Sequence, residues 1–242
     1  PDGLPTARLT GHTFDGWYLE YSNGAYKNKV ENTDTVQNTH HTLYGKFSIA
    51  TPTVTFNKQS GTGGSDSAIA TYGEAMPEIT LPTRAGYTFN GYYTHTNGRG
   101  TKYYNADGTS ARTWNKTTNT TLYASWTPIT YTVIFNPNDK DTNGKDLIGD
   151  VQFSMENQIH TYGSSLALTL NQYSIDGYTF AGWNTKADGT GTAYTNGASV
   201  TNLTTINNAT VTLYAQWTAN TYTVSFDPQG GTVDTTEKDV TF

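Results

Sequence analysis

The chain has 242 residues, a net charge of −6, a pI near 5.2, and only 14% charged against 34% apolar residues. Its lysines and arginines are scattered, which argues against nucleic acid, since such affinity comes from concentrated phosphate-neutralising charge. No stretch approaches the roughly 18 apolar residues that cross a bilayer. With no cysteine, a disulfide framework is excluded, and any small folded unit must draw its stability from an aromatic core.

In chain order, the first landmark is Gly11-His12-Thr13-Phe14-Asp15-Gly16-Trp17-Tyr18. Beyond it, Glu20 to His41 is polar and rich in Asn and Thr, which predicts a long loop holding at most a short strand. Thr42-Leu43-Tyr44-Gly45-Lys46-Phe47 closes this first section. Thr53-Val54-Thr55-Phe56 then alternates polar and apolar as a half-buried strand does. Gly61 to Ser65 reads as a hairpin loop leading to a strand over Ser67 to Tyr72. Pro77 and Pro82 limit any helix between them to about a turn.

Gly86-Tyr87-Thr88-Phe89-Asn90-Gly91-Tyr92-Tyr93 restates the first landmark. Two turn clusters follow, Asn97-Gly98-Arg99-Gly100 and Asn105-Ala106-Asp107-Gly108, whose residues tolerate positive φ. Thr120 to Trp126 is the closing strand. The plan then recurs: Val133 and Phe135 open it, Gly177-Tyr178-Thr179-Phe180-Ala181-Gly182-Trp183-Asn184 restates the motif, and Leu213-Tyr214 with Trp217 closes it. A last opening strand around Val224 and Phe226 leads through a turn at Pro228-Gln229-Gly230-Gly231 to Asp239-Val240-Thr241-Phe242. Landmarks in one fixed order are an internal repeat. Its spacing is constant from Gly91 to Leu122 and from Gly182 to Leu213, while the later copy is enlarged between Phe135 and Gly163.

The Gly-Tyr-x-Phe-x-Gly-Trp motif, the closing Leu-Tyr-Ala-x-Trp and the opening Tyr-Thr-Val-x-Phe-(Asn/Asp)-Pro resemble the Listeria-Bacteroides repeat, the B-repeat type of internalin-like bacterial surface proteins. His12 and the Gly45-Lys46-Phe47 ending depart from that pattern. The resemblance implies a mainly β (α+β) fold: tandem small β-grasp-like modules with at most one short helix each. The divisions expected are 1–50 (the later half of a repeat), 51–127 (a complete repeat), 128–218 (a complete repeat with an enlarged first loop) and 219–242 (the opening strands of another). A chain opening inside a repeat is expected to carry no signal peptide of its own and to belong to a longer protein. The implied setting is extracellular, at a bacterial cell surface or secreted. The implied role is a stalk or spacer that also serves adhesion or self-association. Complementary halves at the two ends suggest head-to-tail pairing between copies, building fibres.

Candidate chemistry is sparse. Asp139, Asp141 and Asn143, with the carbonyl of Lys145 and with Asp150 in twelfth position, match a calcium-loop spacing around Gly144, because alternating oxygens can converge on a hard cation. Asp146 at the eighth position and Asp150 in place of Glu depart from it, and turn chemistry explains the same residues. His12, His40, His41, His95 and His160 lack zinc-site spacing. No nucleophile elbow, zinc-protease or phosphate-loop motif occurs, so no catalytic residue is nominated. Tyr18, Tyr21, Tyr26, Tyr103, Tyr104 and Tyr173 fall outside the repeated aromatic positions. Gathered on a surface they would form a face for host or surface glycans, the carbohydrate-binding alternative. Asn115, Asn119, Asn202 and Asn208 begin Asn-x-Ser/Thr triplets, which arise readily in so Asn- and Thr-rich a chain.

Overall fold

The computed structural model describes residues 3–34, 40–140 and 153–241, and among them there is strand, turn and coil but no helix. The fold is therefore mainly β, and the segment from Pro77 to Pro82 crosses as extended coil. Two compact units are present: Pro1–Arg84 with Thr88–Thr127, and Ala85–Tyr87 with Pro128–Phe242.

In the first unit, β1 (His12–Ser22), β2 (Ala25–Val30) and β3 (Tyr44–Ile49) form an antiparallel sheet in the order β2-β1-β3. The long loop expected from Glu20 to His41 is thus corrected: β1 runs on to Ser22 and a second strand returns beside it. The reason is local. Asn23 and Gly24, at φ 50° and 78°, make a two-residue turn closed by the Ser22↔Ala25 pair, and this left-handed geometry matches the twist of paired strands.

The rest of that unit is a five-stranded sheet. Its strands are β4 (Thr53–Asn57), β5 (Ser67–Ile69), β6 (Tyr87–Tyr93), β7 (Lys102–Tyr104) and β8 (Thr120–Pro128), in the order β5-β4-β8-β6-β7. β4 and β8 lie parallel, from Val54↔Thr120 to Asn57↔Tyr123, whereas β4 pairs with β5 and β6 with β7 antiparallel. Along β4, Val54 and Phe56 are buried while Thr53, Thr55 and Asn57 are exposed, the two-residue period of a strand with one face on a core. Phe56, Tyr92, Tyr104, Trp114 and Leu122 fill that core.

The second unit repeats the plan. It contains β9 (Thr130–Asn136), β10 (Gln158–Thr161), β11 (Leu166–Ala167), β12 (Tyr178–Asn184), β13 (Ala193–Tyr194), β14 (Ser199–Val200) and β15 (Thr210–Ala219). The main sheet runs β10-β9-β15-β12-β13, with β11 and β14 paired separately. β9 and β15 are again the parallel pair, and Tyr131, Val133, Phe135, Trp183 and Leu213 form the core. Finally β16 (Thr221–Ser225) and β17 (Glu237–Thr241) make an exposed antiparallel hairpin.

Candidate functional site

The repeated motif owes its form to a β-bulge. Between β12 and β15 the register shifts from Phe180 to Gly182, leaving Ala181 as the extra residue, and β1 against β3 shifts identically between Phe14 and Gly16. In an unbroken strand, residues three apart face opposite sides. The extra residue brings both onto one side: ring centroids are 5.1 Å apart for Phe180 and Trp183, 5.2 Å for Phe89 and Tyr92, and 5.3 Å for Phe14 and Trp17. Glycine is required at the bend because Gly182, at φ 143°, would place a Cβ 2.9 Å from the Tyr194 carbonyl oxygen.

The closing aromatic completes the stack. Trp217 lies 5.6 Å from Phe180, and its indole N–H donates to the Pro137 carbonyl at 2.7 Å. Trp126 repeats this with Phe89 at 5.3 Å and the Lys58 carbonyl at 2.9 Å. Phe47 takes the place against Phe14 at 5.4 Å but has no donor to offer. Trp183 and Tyr92 are fully buried, and burial pushes the Tyr92 phenol up to about 12. Trp17, in the three-stranded sheet, is only half-buried. The motif aromatics thus serve as core anchors in both five-stranded sheets.

Three of the tyrosines expected at the surface are buried instead: Tyr103, Tyr104 and Tyr173. Each satisfies its hydroxyl internally. Tyr104 donates to the Pro77 carbonyl at 2.9 Å, Tyr173 to the Phe135 carbonyl at 2.8 Å, and Tyr103 to Asn115 Oδ1 at 2.5 Å. A phenol can be buried at little cost when its polar tip reaches a backbone or amide acceptor. The other three do gather. Tyr26 lies 5.4 Å from Tyr18 and 4.7 Å from Tyr21, and Tyr21 lies 6.2 Å from Tyr44. Tyr21 and Tyr44 are exposed, Tyr18 and Tyr26 half-exposed, and Lys46 Nζ stands 5.7 Å over the Tyr18 ring. Tyr44 belongs to the repeated Leu-Tyr pair, so excluding the repeated positions hid one member of this group.

Of the calcium-loop candidates, Asp141, Asn143, Lys145 and Asp150 lie outside the described residues, and Asp139 alone falls within them. Among the described residues no three His, Asp or Glu side chains are grouped to hold a metal ion. The histidines do not converge. His160 is buried and stacked on Tyr131 at 5.3 Å and 19°, with neither ring nitrogen hydrogen-bonded. His95 Nδ1 meets Thr94 Oγ1 at 3.0 Å and His12 Nδ1 meets the Thr10 carbonyl at 2.9 Å. An open hollow of about 510 Å³ holds Glu78 and Asp107. Thr109 donates to the Asp107 carboxylate from both backbone and side chain, holding it below the usual carboxylate range. That acid is engaged in its turn. Among the described residues no helix is long and apolar enough to cross a membrane.

The Listeria-Bacteroides repeat domain matches residues 3–46, 53–125 and 131–216. Over 151 residues, 62% of this chain, it is 34% identical to a protein of Evansella cellulosilytica named as a Gly-rich membrane protein. Over 221 residues, 87% of the chain, it is 30% identical to a second protein of that organism, named as a membrane protein. Internalin H of Listeria monocytogenes is 34% identical over 161 residues, 66% of the chain. The chain spans only 16%, 28% and 24% of those three proteins' lengths. It belongs to the Listeria-Bacteroides repeat family.

Proposed function

We propose that this segment is a non-catalytic, extracellular repeat region of a bacterial surface protein. It acts as a stalk or spacer that carries other parts of its protein away from the cell and takes part in adhesion or self-association. The observation that carries this reading is how the repeated residues are used. Trp183, Tyr92, Leu122 and Leu213 are buried in their sheets, so what recurs along the chain is a way of folding. The similarity to internalin H and to two proteins named as membrane proteins supports the surface setting. The sheet order, with its central parallel pair, supports β-grasp-like modules divided into two whole repeats and two partial ones. To test it, an epitope is displayed on intact bacteria with and without this chain between it and the anchor. Antibody access should rise with the chain present. Equal access in both constructions would remove the spacer role.

A second reading rests on the tyrosine group Tyr18, Tyr21, Tyr26 and Tyr44. Aromatic faces beside a lysine suit the apolar face and hydroxyl rim of a sugar ring. Titration calorimetry with cell-wall polysaccharides should give heat that Tyr21→Ala abolishes. Tyr21 is exposed, so that change leaves the fold intact. Absence of heat with every polysaccharide would end this reading.

A further inference from the structure

The two five-stranded sheets differ at one place that the fold itself does not dictate. Just beyond β4, Gln59 and Ser60 turn back at φ 49° and 67°, and a hollow of about 260 Å³ opens there, lined by Gln59, Ser60, Arg84, Asn97, Ser125 and Trp126 among others. In the second unit Asn138, at φ 53°, stands where Gln59 does. Its backbone N–H donates to Asn136 Oδ1 at 2.8 Å, as that of Gln59 donates to Asn57 Oδ1 at 3.1 Å. By the spacing from Gly91 to Gly182, Gln216 stands where Ser125 does and Ile175 where Arg84 does. There the protein occupies the place with its own amides. Asn138 Nδ2 donates to the Ala187 and Ala215 carbonyls at 2.9 Å each, and Gln216 Nε2 to the Ala215 carbonyl at 3.2 Å. In the first unit the Gln59 amide folds back onto Asn57 Oδ1 at 2.8 Å instead. Ser125 is short and only 8% exposed, and its hydroxyl has no hydrogen-bond partner among the described residues.

We propose that this hollow binds one acetamido sugar unit, whose amide takes the place that the Asn138 amide fills in the second unit. Its N–H would donate to the carbonyl of Ala124, the equivalent of Ala215, and its acetyl oxygen would accept from the Ser125 hydroxyl. A buried hydroxyl left without a partner costs free energy that such an acceptor recovers. The ring hydroxyls would face Ser60, Asn97 and the guanidinium of Arg84, which is anchored to the wall by Nη1 donating to the Gln59 carbonyl at 3.3 Å. The volume falls below the roughly 300–1,000 Å³ of pockets for drug-sized molecules, so a single ring is what it admits. A lining of amides, hydroxyls and a guanidinium suits a hydroxyl-rich ring better than a peptide side chain. The inference rests on the adhesion part of the proposed function and gives it a ligand class; the spacer role stands or falls without it.

Amide-resolved NMR spectra of the whole chain, titrated with free N-acetylglucosamine, test this. The amides of Ser60, Asn97 and Ser125 and the Trp126 indole N–H should shift together and saturate in the millimolar range. Glucose, which lacks the amide, and acetamide, which lacks the ring, should each bind at least about tenfold more weakly. Ser125→Ala, which removes only the hydroxyl, should weaken binding. Gln59→Asn with Ser125→Gln installs the residues that fill the place in the second unit, and should abolish the shifts while the remaining amides keep their positions. Tyr21→Ala should leave the shifts intact, which separates this site from the tyrosine group. Absence of saturable shifts at these residues, equal affinity for glucose or acetamide, or binding indifferent to Ser125→Ala and to the double change would each overturn the proposal.

Discussion

Trp183 is enclosed by Phe135, Phe180 and Tyr173, with ring centroids 4.8, 5.1 and 6.2 Å away. Its burial removes roughly 150–250 Å² from water, worth at most about 4–6 kcal/mol at about 25 cal/mol per Å². Truncation leaves a cavity that close-packed neighbours cannot fully fill. Trp183→Ala should therefore destabilise the β9–β15 body by about 3–5 kcal/mol. Urea unfolding followed on the backbone amides of Val133 and Leu213 checks this, and retention of their native exchange protection would contradict it.

His160 shows how one position tolerates different chemistry. Its place is taken by Ala70 in the preceding sheet, also fully buried, and by Val240 in the last hairpin. Burial holds the imidazole below its ordinary value of 6.5. The sign follows from proton counting. Below about pH 6.5 the unfolded chain gains a proton that the buried ring refuses, so stability is full above that pH and declines as the pH falls through the native value. Thermal melts between pH 7.5 and 4.5 should show this decline, and His160→Ala should flatten it. Tyr92 works in the opposite direction, since its raised phenol favours the folded state until the pH climbs past 10 toward about 12.

Between successive motifs the chain is clasped by a recurring set of hydrogen bonds. Ala50 donates its N–H to the Gly11 carbonyl at 3.0 Å, and its own carbonyl accepts from Tyr72 N–H at 3.0 Å. In the second unit Ile129 does the same with Gly86 and Tyr162, at 3.0 and 2.9 Å. Gly11 is left-handed at φ 77°, and a Cβ there would run into the Tyr72 ring. Gly11→Ala should cost at least about 1–2 kcal/mol from backbone handedness alone. Faster hydrogen exchange at the Tyr72 amide is the readout, and unchanged exchange would show that the clasp yields freely.

Elements with a strict two-residue alternation were legible in the sequence. Thr53 to Phe56 folds as β4, and the closing strand expected from Thr120 to Trp126 forms within β8. Where the sequence misled, the deciding partner was not in the pattern being read. The polar composition after Glu20 concealed a hairpin that the Asn23-Gly24 pair alone announces. Strands as short as Lys102–Tyr104 and Ala193–Tyr194 are held by pairing with β6 and β12 and carry no periodicity of their own. Tyr103, Tyr104 and Tyr173 looked peripheral because their acceptors, Asn115, Pro77 and Phe135, are 12, 27 and 38 residues away. Burial of that kind is written in tertiary contact, which propensity does not encode.

Across the whole molecule, one architectural plan is used with different side chains and different loop lengths. The family match over three stretches and the recurrence of the parallel pair at the centre of both large sheets are two expressions of the same fact. That placement has a mechanical meaning. In the repeat matched over residues 53–125, the chain enters through β4 and leaves through β8, adjacent strands that run the same way. Pulling on the two ends drags these strands past each other lengthwise, so the ladder from Val54↔Thr120 to Asn57↔Tyr123 is loaded in shear and its bonds must fail together. In the β16–β17 hairpin the strands are antiparallel, and the same pull peels them pair by pair. Stretched in an optical trap, the β4–β8 sheet should rupture at a distinctly higher force than the hairpin, and similar rupture forces would refute this. A tether assembled from such bodies would stay short under tension until it gave way one whole repeat at a time.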